Sequence, residues 1–318
     1  MRKNSKILVT GGAGFIGSHL VTKLAEQGYY VRVLDDLSTG KLSNIDRLLK
    51  EGLADFVKGD IRAVSTVRAA VSGVDVIFHL AAQISVPLSI LNPKLNNEVN
   101  VVGTSNLLNA SRSAGVGKFV FVSSCAVYGE PIYLPIDETH PTNPISPYAE
   151  SKLTSEQECI QHSNEHELET VVVRFFNVYG PKQGLNDYSG VITKFIERIR
   201  QKLPLTIFGD GSQTRDFVFV QDITNALLLS SINKDANGQI FNIGTGKATT
   251  IKSLAETLLE LTDSKVELQF APERSGDIKH SYANISKANK LLGYKPEFSL
   301  RKGLKDLLDE NTRLISKK

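Results

Sequence analysis

Two cysteines, Cys125 and Cys159, are all that the 318 residues contain. That is too few for a disulfide framework, and neither stands in a Cys-x-x-Cys or Cys/His cluster, which argues for a reducing compartment and against structural zinc. No apolar run reaches the roughly 18 to 20 residues needed to cross a bilayer. The N-terminus leads into a strand without an apolar signal region, so the expectation is a soluble, cytoplasmic protein with no membrane partner. An excess of one charge is also missing. The net charge is +3, and apart from Arg2-Lys3 and Lys317-Lys318 the basic residues are scattered, so nucleic acid is not expected as a partner. Internal repeats and low-complexity tracts are lacking as well.

What is present is enough apolar material, 41% of the residues, for a sizeable core in a chain too long for one minimal domain. Up to about residue 175, strand-like runs alternate with helical patterns. The strands are expected at Lys6–Thr10, Tyr30–Asp35, Asp55–Lys58, Val74–Leu80, Lys118–Ser123 and Thr170–Phe175. Gly14–Gln27, Ala63–Val71, Lys94–Ala114 and Tyr148–Glu165 are long enough for crossover helices. Continuous apolar strands such as Phe119-Val-Phe-Val-Ser123 suit a sheet covered on both faces. The pattern predicts an α/β fold, a doubly wound parallel Rossmann sheet over residues 1–179 with a smaller C-terminal α/β substrate lobe over 180–318. The boundary is not clean: Asp216-Phe-Val-Phe-Val220 with the following helix, and Gly238-Gln-Ile-Phe-Asn242, read as segments of about 216–242 that return to the first lobe. A ligand is expected in the cleft, at the carboxyl ends of the parallel strands.

The first strand runs into Thr10-Gly-Gly-Ala-Gly-Phe-Ile-Gly17. Glycines between a strand and a helix allow a tight turn (Gly11), close approach of backbone N–H groups to a pyrophosphate (Gly14, with Phe15 and Ile16 opening the helix) and close packing (Gly17). Strand two ends at Asp35-Asp36, with Asp35 18 residues beyond Gly17, close to where an acidic side chain grips adenosine ribose hydroxyls and repels a 2′-phosphate. NAD is therefore expected rather than NADP. Asp60-Ile61 ends strand three beside the expected adenine, and Leu80-Ala81-Ala82 ends strand four with small residues that a dinucleotide can approach. Tyr148 and Lys152 are four residues apart on a helix and share a face, so the ammonium is expected to favour the phenolate. Ser124 ends a strand upstream of them. Together with the glycines, these residues point to nicotinamide chemistry. Cys125 has no histidine partner near in sequence and reads as structural, as do His79 and His19.

With these residues in place, the chain resembles the extended short-chain dehydrogenase/reductase family, and within it the nucleotide-sugar 4-epimerases acting on UDP-glucose and UDP-galactose. The likeness runs through Thr10–Gly17, Phe78-His-Leu-Ala-Ala82, Val122-Ser-Ser-Cys-Ala-Val-Tyr-Gly129, Pro147-Tyr-Ala-Glu-Ser-Lys152, Arg174-Phe-Phe-Asn-Val-Tyr-Gly-Pro181, Gln213-Thr-Arg-Asp-Phe217 and Arg274-Ser-Gly-Asp277. The resemblance implies that Ser124 bonds the reacting hydroxyl, that Tyr148 is the base, and that Lys152 lowers its pKa and binds the nicotinamide ribose. It places Phe175 at the cofactor, Asn177, Arg215 and Arg274 on the diphosphate, Phe208 and Asp277 around the uridine, and Val191 and Ile192 over the uracil. It implies a UDP-sugar substrate and a homodimer paired through the helices Lys94–Ala114 and Tyr148–Glu165. Where related 4,6-dehydratases carry Asp-Glu, this chain has Cys125-Ala126, which disfavours dehydration. A glutamate of the related decarboxylases is missing from the same stretch. Ser281 stands where strict UDP-glucose epimerases carry a bulky tyrosine, so room for an N-acetyl group is expected. The alternatives are another sugar-nucleotide epimerase or reductase, or an NAD-binding sensor without catalysis. The retained Tyr/Lys pair argues against the sensor.

Overall fold

The computed structural model describes residues 5–165, 168–184, 190–274 and 276–315, with side chains described to residue 309. Arg2-Lys3, Ser275 and Lys317-Lys318 lie outside the described residues. The first six strands are β1 (Lys6–Thr10), β2 (Tyr30–Asp35), β3 (Ala54–Lys58), β4 (Val76–His79), β5 (Lys118–Ser124) and β6 (Glu169–Phe175). They are followed by β7 (Asn177–Tyr179), β8 (Leu205–Phe208), β9 (Thr214–Arg215), β10 (Phe217–Phe219) and β11 (Gln239–Ile243), then β12 (Thr249–Thr250), β13 (Leu268–Ala271) and β14 (His280–Ser281). A seven-stranded sheet in the order β11-β6-β5-β4-β1-β2-β3 forms the centre, with all neighbours parallel. The order reverses between β1 and β4, where a doubly wound sheet opens a crevice at the strands' carboxyl ends.

The apolar runs explain the layering. Along β1, Ile7 and Val9 belong to one core, with Val31, Val33 and Phe78, while Leu8 belongs to a second, with Ile77, Phe119 and Phe121. Alternate side chains point to opposite faces of a strand, and both faces are covered by helices. Phe15–Glu26 and Val220–Ile232 contribute to the first core, and Val64–Val71 and Gly103–Ser113 to the second.

Two differences from the sequence pattern concern the site. The single helix expected over Lys94–Ala114 is a short helix Pro93–Asn97, a π-helical turn Glu98–Val102 and a helix Gly103–Ser113. The carbonyl of Asn100 in that turn accepts hydroxyl bonds from Thr104 (2.5 Å) and Ser155 (2.9 Å), which compete with the backbone ladder there. The segment after Asp216 does not enter the main sheet: β10 pairs with β7. Val218 faces the first core, while Phe217 and Phe219 face a third, with Tyr179, Phe195, Leu205, Ile207, Leu254 and Leu304. The helix Val220–Ile232 packs in the first core, and β11 pairs with β6 in the main sheet. Among the described residues no helix is long and apolar enough to cross a membrane.

Candidate active site

The glycine turn is built on backbone contacts. Gly11 has φ +69°, and a Cβ there would stand 2.8 Å from the Ala81 nitrogen, so the turn lies directly against the end of β4. Gly14 donates to the Gly11 carbonyl at 3.1 Å and is the N-cap of Phe15–Glu26 without a side chain to satisfy the helix's first N–H groups. Those orphan donors suit a pyrophosphate. Asp35 is buried; one carboxylate oxygen accepts the Ala13 N–H and the other the Leu37 N–H, both at 2.9 Å. Burial raises its pKa, and those two N–H bonds oppose the rise. Each oxygen keeps a further lone pair for a ribose hydroxyl. These features fit NAD, which Gly11, Gly14, Gly17 and Asp35 would hold.

The other expected cofactor residues divide. Leu80 and Ala81 donate to the carbonyl and hydroxyl of Thr10, at 3.1 and 3.2 Å, so the ends of β1 and β4 are tied together. Ile61 is buried in the second core and Phe175 in the first. Asp36 is exposed and accepts the Ser38 N–H at 2.8 Å, outside the Asp35 group. Asp60 accepts from Arg62 Nε at 2.9 Å and Nη2 at 2.5 Å, which holds its carboxyl below the usual range.

At the end of β5 the structure gathers Ser124, Tyr148 and Lys152. Pro147–Glu165 carries Tyr148 and Lys152 on one face. Burial pushes the Tyr148 phenol up to about 12; a hydrogen bond with Ser124 works against this, and Cys125 adds to it. Lys152 donates from Nζ to the Val122 carbonyl at 2.9 Å and lies 4.9 Å from the Phe121 ring centroid. Burial lowers it to about 8, opposed chiefly by Glu156. Burial therefore dominates Tyr148, and a phenolate near neutral pH needs positive charge brought close to it. Lys152, on the same helix face, and the oxidised nicotinamide of NAD would be such charges.

On the facing side, Ser281 of β14 pairs in register with Arg215 of β9 and hydrogen-bonds Cys125, whose thiol burial raises to about 11. Arg215 lies within electrostatic range of Asp277, Cys125 and Glu130, and donates to the Thr214 carbonyl at 2.8 Å. Arg274 stacks on Phe208, 3.6 Å from the ring centroid. Val191 and Ile192 open the helix Val191–Arg200 behind the N-cap Gly190. Asn177 donates its backbone N–H to Asp216 at 2.9 Å, and its Oδ1 is buried without a hydrogen-bond partner, an acceptor available to a ligand.

Several residues that hold this site do not stand out in the sequence. Asp216 is fully buried and accepts from Thr245 N and Oγ1, Gly246 N and Ala283 N at 2.5–3.2 Å, joining β10, the turn after β11 and the segment after β14. Ser89 accepts the Tyr148 N–H at 3.1 Å, Asn96 donates to the Pro147 carbonyl at 2.9 Å, and Asn100 bridges the Gln83 backbone to Ser151. These bonds pin the N-terminus of the helix Pro147–Glu165. The available signal was a set of polar residues on helical segments that otherwise pack inward.

His79 belongs to the same frame. Thr104 gives its proton to the Asn100 carbonyl, so His79 Nε2–H donates to Thr104 (2.9 Å) and Nδ1 accepts from Thr10 (2.7 Å). Burial, with Lys152 adding to it, lowers its pKa to about 3. Between that value and the unfolded value near 6.5 the unfolded chain binds the extra proton, so the stability that neutral His79 contributes is present above pH 6.5 and is lost as pH falls. The expected slope from this residue is about 1.4 kcal/mol per pH unit. Urea unfolding of wild type and His79→Gln between pH 7 and 5 checks this, with a shallower dependence expected in the variant.

The NAD dependent epimerase/dehydratase family matches residues 7–244 of the chain. The UDP-glucose 4-epimerase of Mycolicibacterium smegmatis is 40% identical over 306 residues, covering 94% of this chain and 96% of that one. Among solved structures, the UDP-glucose 4-epimerase of Thermotoga maritima with UDP-glucose superposes at a TM-score of 0.92 and 38% identity, covering 98% of this chain and 99% of the other. The UDP-N-acetylglucosamine 4-epimerase of Methanobrevibacter ruminantium, in complex with UDP-N-acetylmuramic acid, gives 0.93 at 35% identity over all of both chains. The glycine cradle and the Tyr/Lys helix thus sit in a chain that belongs to the NAD dependent epimerase/dehydratase family, as an enzyme of its UDP-sugar kind.

Proposed function

We propose that the protein interconverts UDP-glucose and UDP-galactose at C4 through a transient 4-keto sugar, and that it also accepts the N-acetylhexosamine analogues. The observation that carries the reaction type is at Cys125. The position that follows Ser124 holds a thiol bonded to Ser281 and kept protonated by burial, so it offers no acid or base for eliminating water. Tyr148 is then the group that exchanges a proton with the sugar 4-hydroxyl, with Ser124 hydrogen-bonded to it and orienting the hydroxyl. NAD, when bound, takes up and returns the C4 hydride. Arg215 and Arg274 suit a diphosphate, which arginine forks bind well. Ala81, Ala82 and Ser281 leave a sugar room to present either face. We read residues 1–179 with the returning segments as the cofactor lobe, and the remainder of 180–318 as the substrate lobe.

Incubation with UDP-galactose, and separately UDP-GalNAc, without added cofactor tests this by proton NMR of the products. The gluco epimers are expected. No product even after NAD is added would overturn the assignment. For the N-acetyl range, Ser281→Tyr is expected to lower the ratio of acetamido to plain sugar turnover by about tenfold or more, the scale of steric discrimination in a pocket. An unchanged ratio would remove Ser281 from the sugar pocket.

We further propose a cytoplasmic homodimer. Leu91, Leu95 and Val102 are exposed along the segments leading into Gly103–Ser113, an apolar stripe that a second copy would cover. Sedimentation equilibrium decides the state.

A further inference from the structure

One buried ion pair lies against the catalytic helix with no part in the steps above. Glu156 stands one turn beyond Lys152 and two beyond Tyr148 on Pro147–Glu165, so the three share a face. Glu156 is 1% and Arg174, on β6, 3% exposed. Arg174 Nε donates to both carboxylate oxygens at 2.9 and 3.1 Å and Nη2 to one of them at 2.6 Å, while Nη1 donates to the Tyr128 hydroxyl at 2.8 Å. That hydroxyl donates to Asn242 Oδ1 at 2.7 Å. Burial works against the Arg174 charge, and the carboxylate more than offsets it. An ion pair taken out of water is seldom the most stable filling for a core, so its place beside Lys152 calls for a reason other than stability.

The surroundings of Lys152 supply one. From β5 it meets the Val122 carbonyl and the Phe121 ring. From β4 it meets His79, held neutral by its burial. Its own helix contributes Glu156 and the Cys159 thiol, which burial keeps protonated, with Tyr148 one turn back on the same face. Arg174 comes from β6 with its charge matched by Glu156. Glu156 is thus the carboxylate whose field opposes the cost of burying the lysine, and its bonds to Arg174 keep it from closing on Lys152 directly.

We propose that Glu156, clamped by Arg174, is a positioning residue for the reaction: it keeps Lys152 a cation in a buried site while leaving the ammonium free to face Tyr148. The proposal rests on the assignment of Tyr148 and Lys152 above. It is tested on the NAD-loaded protein labelled with 13Cε-lysine, the Lys152 signal being identified by its loss in Lys152→Arg. In Glu156→Gln the Lys152 titration midpoint is expected to fall by about one pH unit or more. The alkaline limb of kcat should move with it, and KM for the UDP-hexose should stay within about twofold. Because this variant strands a buried guanidinium, Glu156→Gln/Arg174→Met provides the charge-free pair if the single variant does not fold; as it removes a matched pair, a downward shift is expected there too, smaller than in the single variant. Glu156→Asp should restore the wild-type midpoint at least in part. A midpoint and an alkaline limb that do not move in the folded variants would overturn the proposal and leave the pair a structural one. The NMR midpoint is read without turnover, so a failure of the epimerase assignment would be seen separately, in the wild-type product analysis.

Discussion

Tyr148→Phe is expected to lower UDP-hexose turnover about a thousandfold or more, within the range that a positioned proton-transfer group contributes, while leaving NAD and the nucleotide bound. The substitution removes one oxygen and little else. The bonds that fix the helix start use the Tyr148 backbone, whose N–H meets Ser89 and whose carbonyl accepts from Ser151 at 2.8 Å. The remaining groups cannot replace the phenol. Lys152 is bonded to the Val122 carbonyl, Cys125 is a protonated thiol, and a serine hydroxyl is a poor base without a partner to take its proton. A loss of kcat with KM and NAD affinity nearly unchanged marks an interaction made in the transition state. Product NMR together with equilibrium dialysis of NAD measures both quantities, and turnover within tenfold of wild type would refute Tyr148 as the base. The pH dependence follows from the same groups. Once the nicotinamide charge of bound NAD has brought Tyr148 below the value of about 8 given to Lys152 by burial, kcat should rise on the acid side as Tyr148 gives up its proton and fall on the alkaline side as Lys152 loses its own.

What could be read from the sequence was whatever depends on local spacing. Lys6–Thr10 and Tyr30–Asp35 appear with the expected bounds, because an apolar run that is buried on both faces and closed by a turn has few other fates. The glycine turn and Asp35 were legible for the same reason: one tight connection fixes all of them. The supporting frame was not. Asn100 reads as an ordinary helical asparagine until the fold brings Gln83 and Ser151 to it, from 17 residues before and 51 after. Asp216 looks like part of a strand, yet its carboxylate collects donors 29, 30 and 67 residues away. Spacing sets Lys152 and Tyr148 on one helix face, but it could not give the burial that pushes the phenol up to about 12. Desolvation depends on everything that packs around a group, and no local pattern encodes it.

Gly17→Ala is expected to abolish measurable NAD binding, a loss of at least about a hundredfold in affinity, or ~2.7 kcal/mol. The cause is steric. A Cβ at Gly17 would stand 2.1 Å from the Gly11 carbonyl oxygen and 2.8 Å from the Gly11 carbonyl carbon and the Gly12 Cα. All three are backbone atoms, so no rotamer change relieves the contact and the turn itself must open. Opening it displaces Gly11, which donates to the Leu34 carbonyl at 2.9 Å and lies against Ala81. It also disturbs Ala13, whose N–H is bonded to Asp35. Pyrophosphate donors and the ribose carboxylate therefore move together, which is why one methyl group is expected to have so large an effect. Gly28→Ala is the control. Gly28 has φ +82° and nothing within 4 Å of its Cβ position, so alanine there meets only the left-handed backbone cost of about 1–2 kcal/mol and should bind NAD normally. Thermal unfolding with and without NAD separates the two. The cofactor should raise the midpoint of Gly28→Ala as it does for wild type and leave that of Gly17→Ala unmoved. An equal rise in both would mean that the dinucleotide does not lie on this turn.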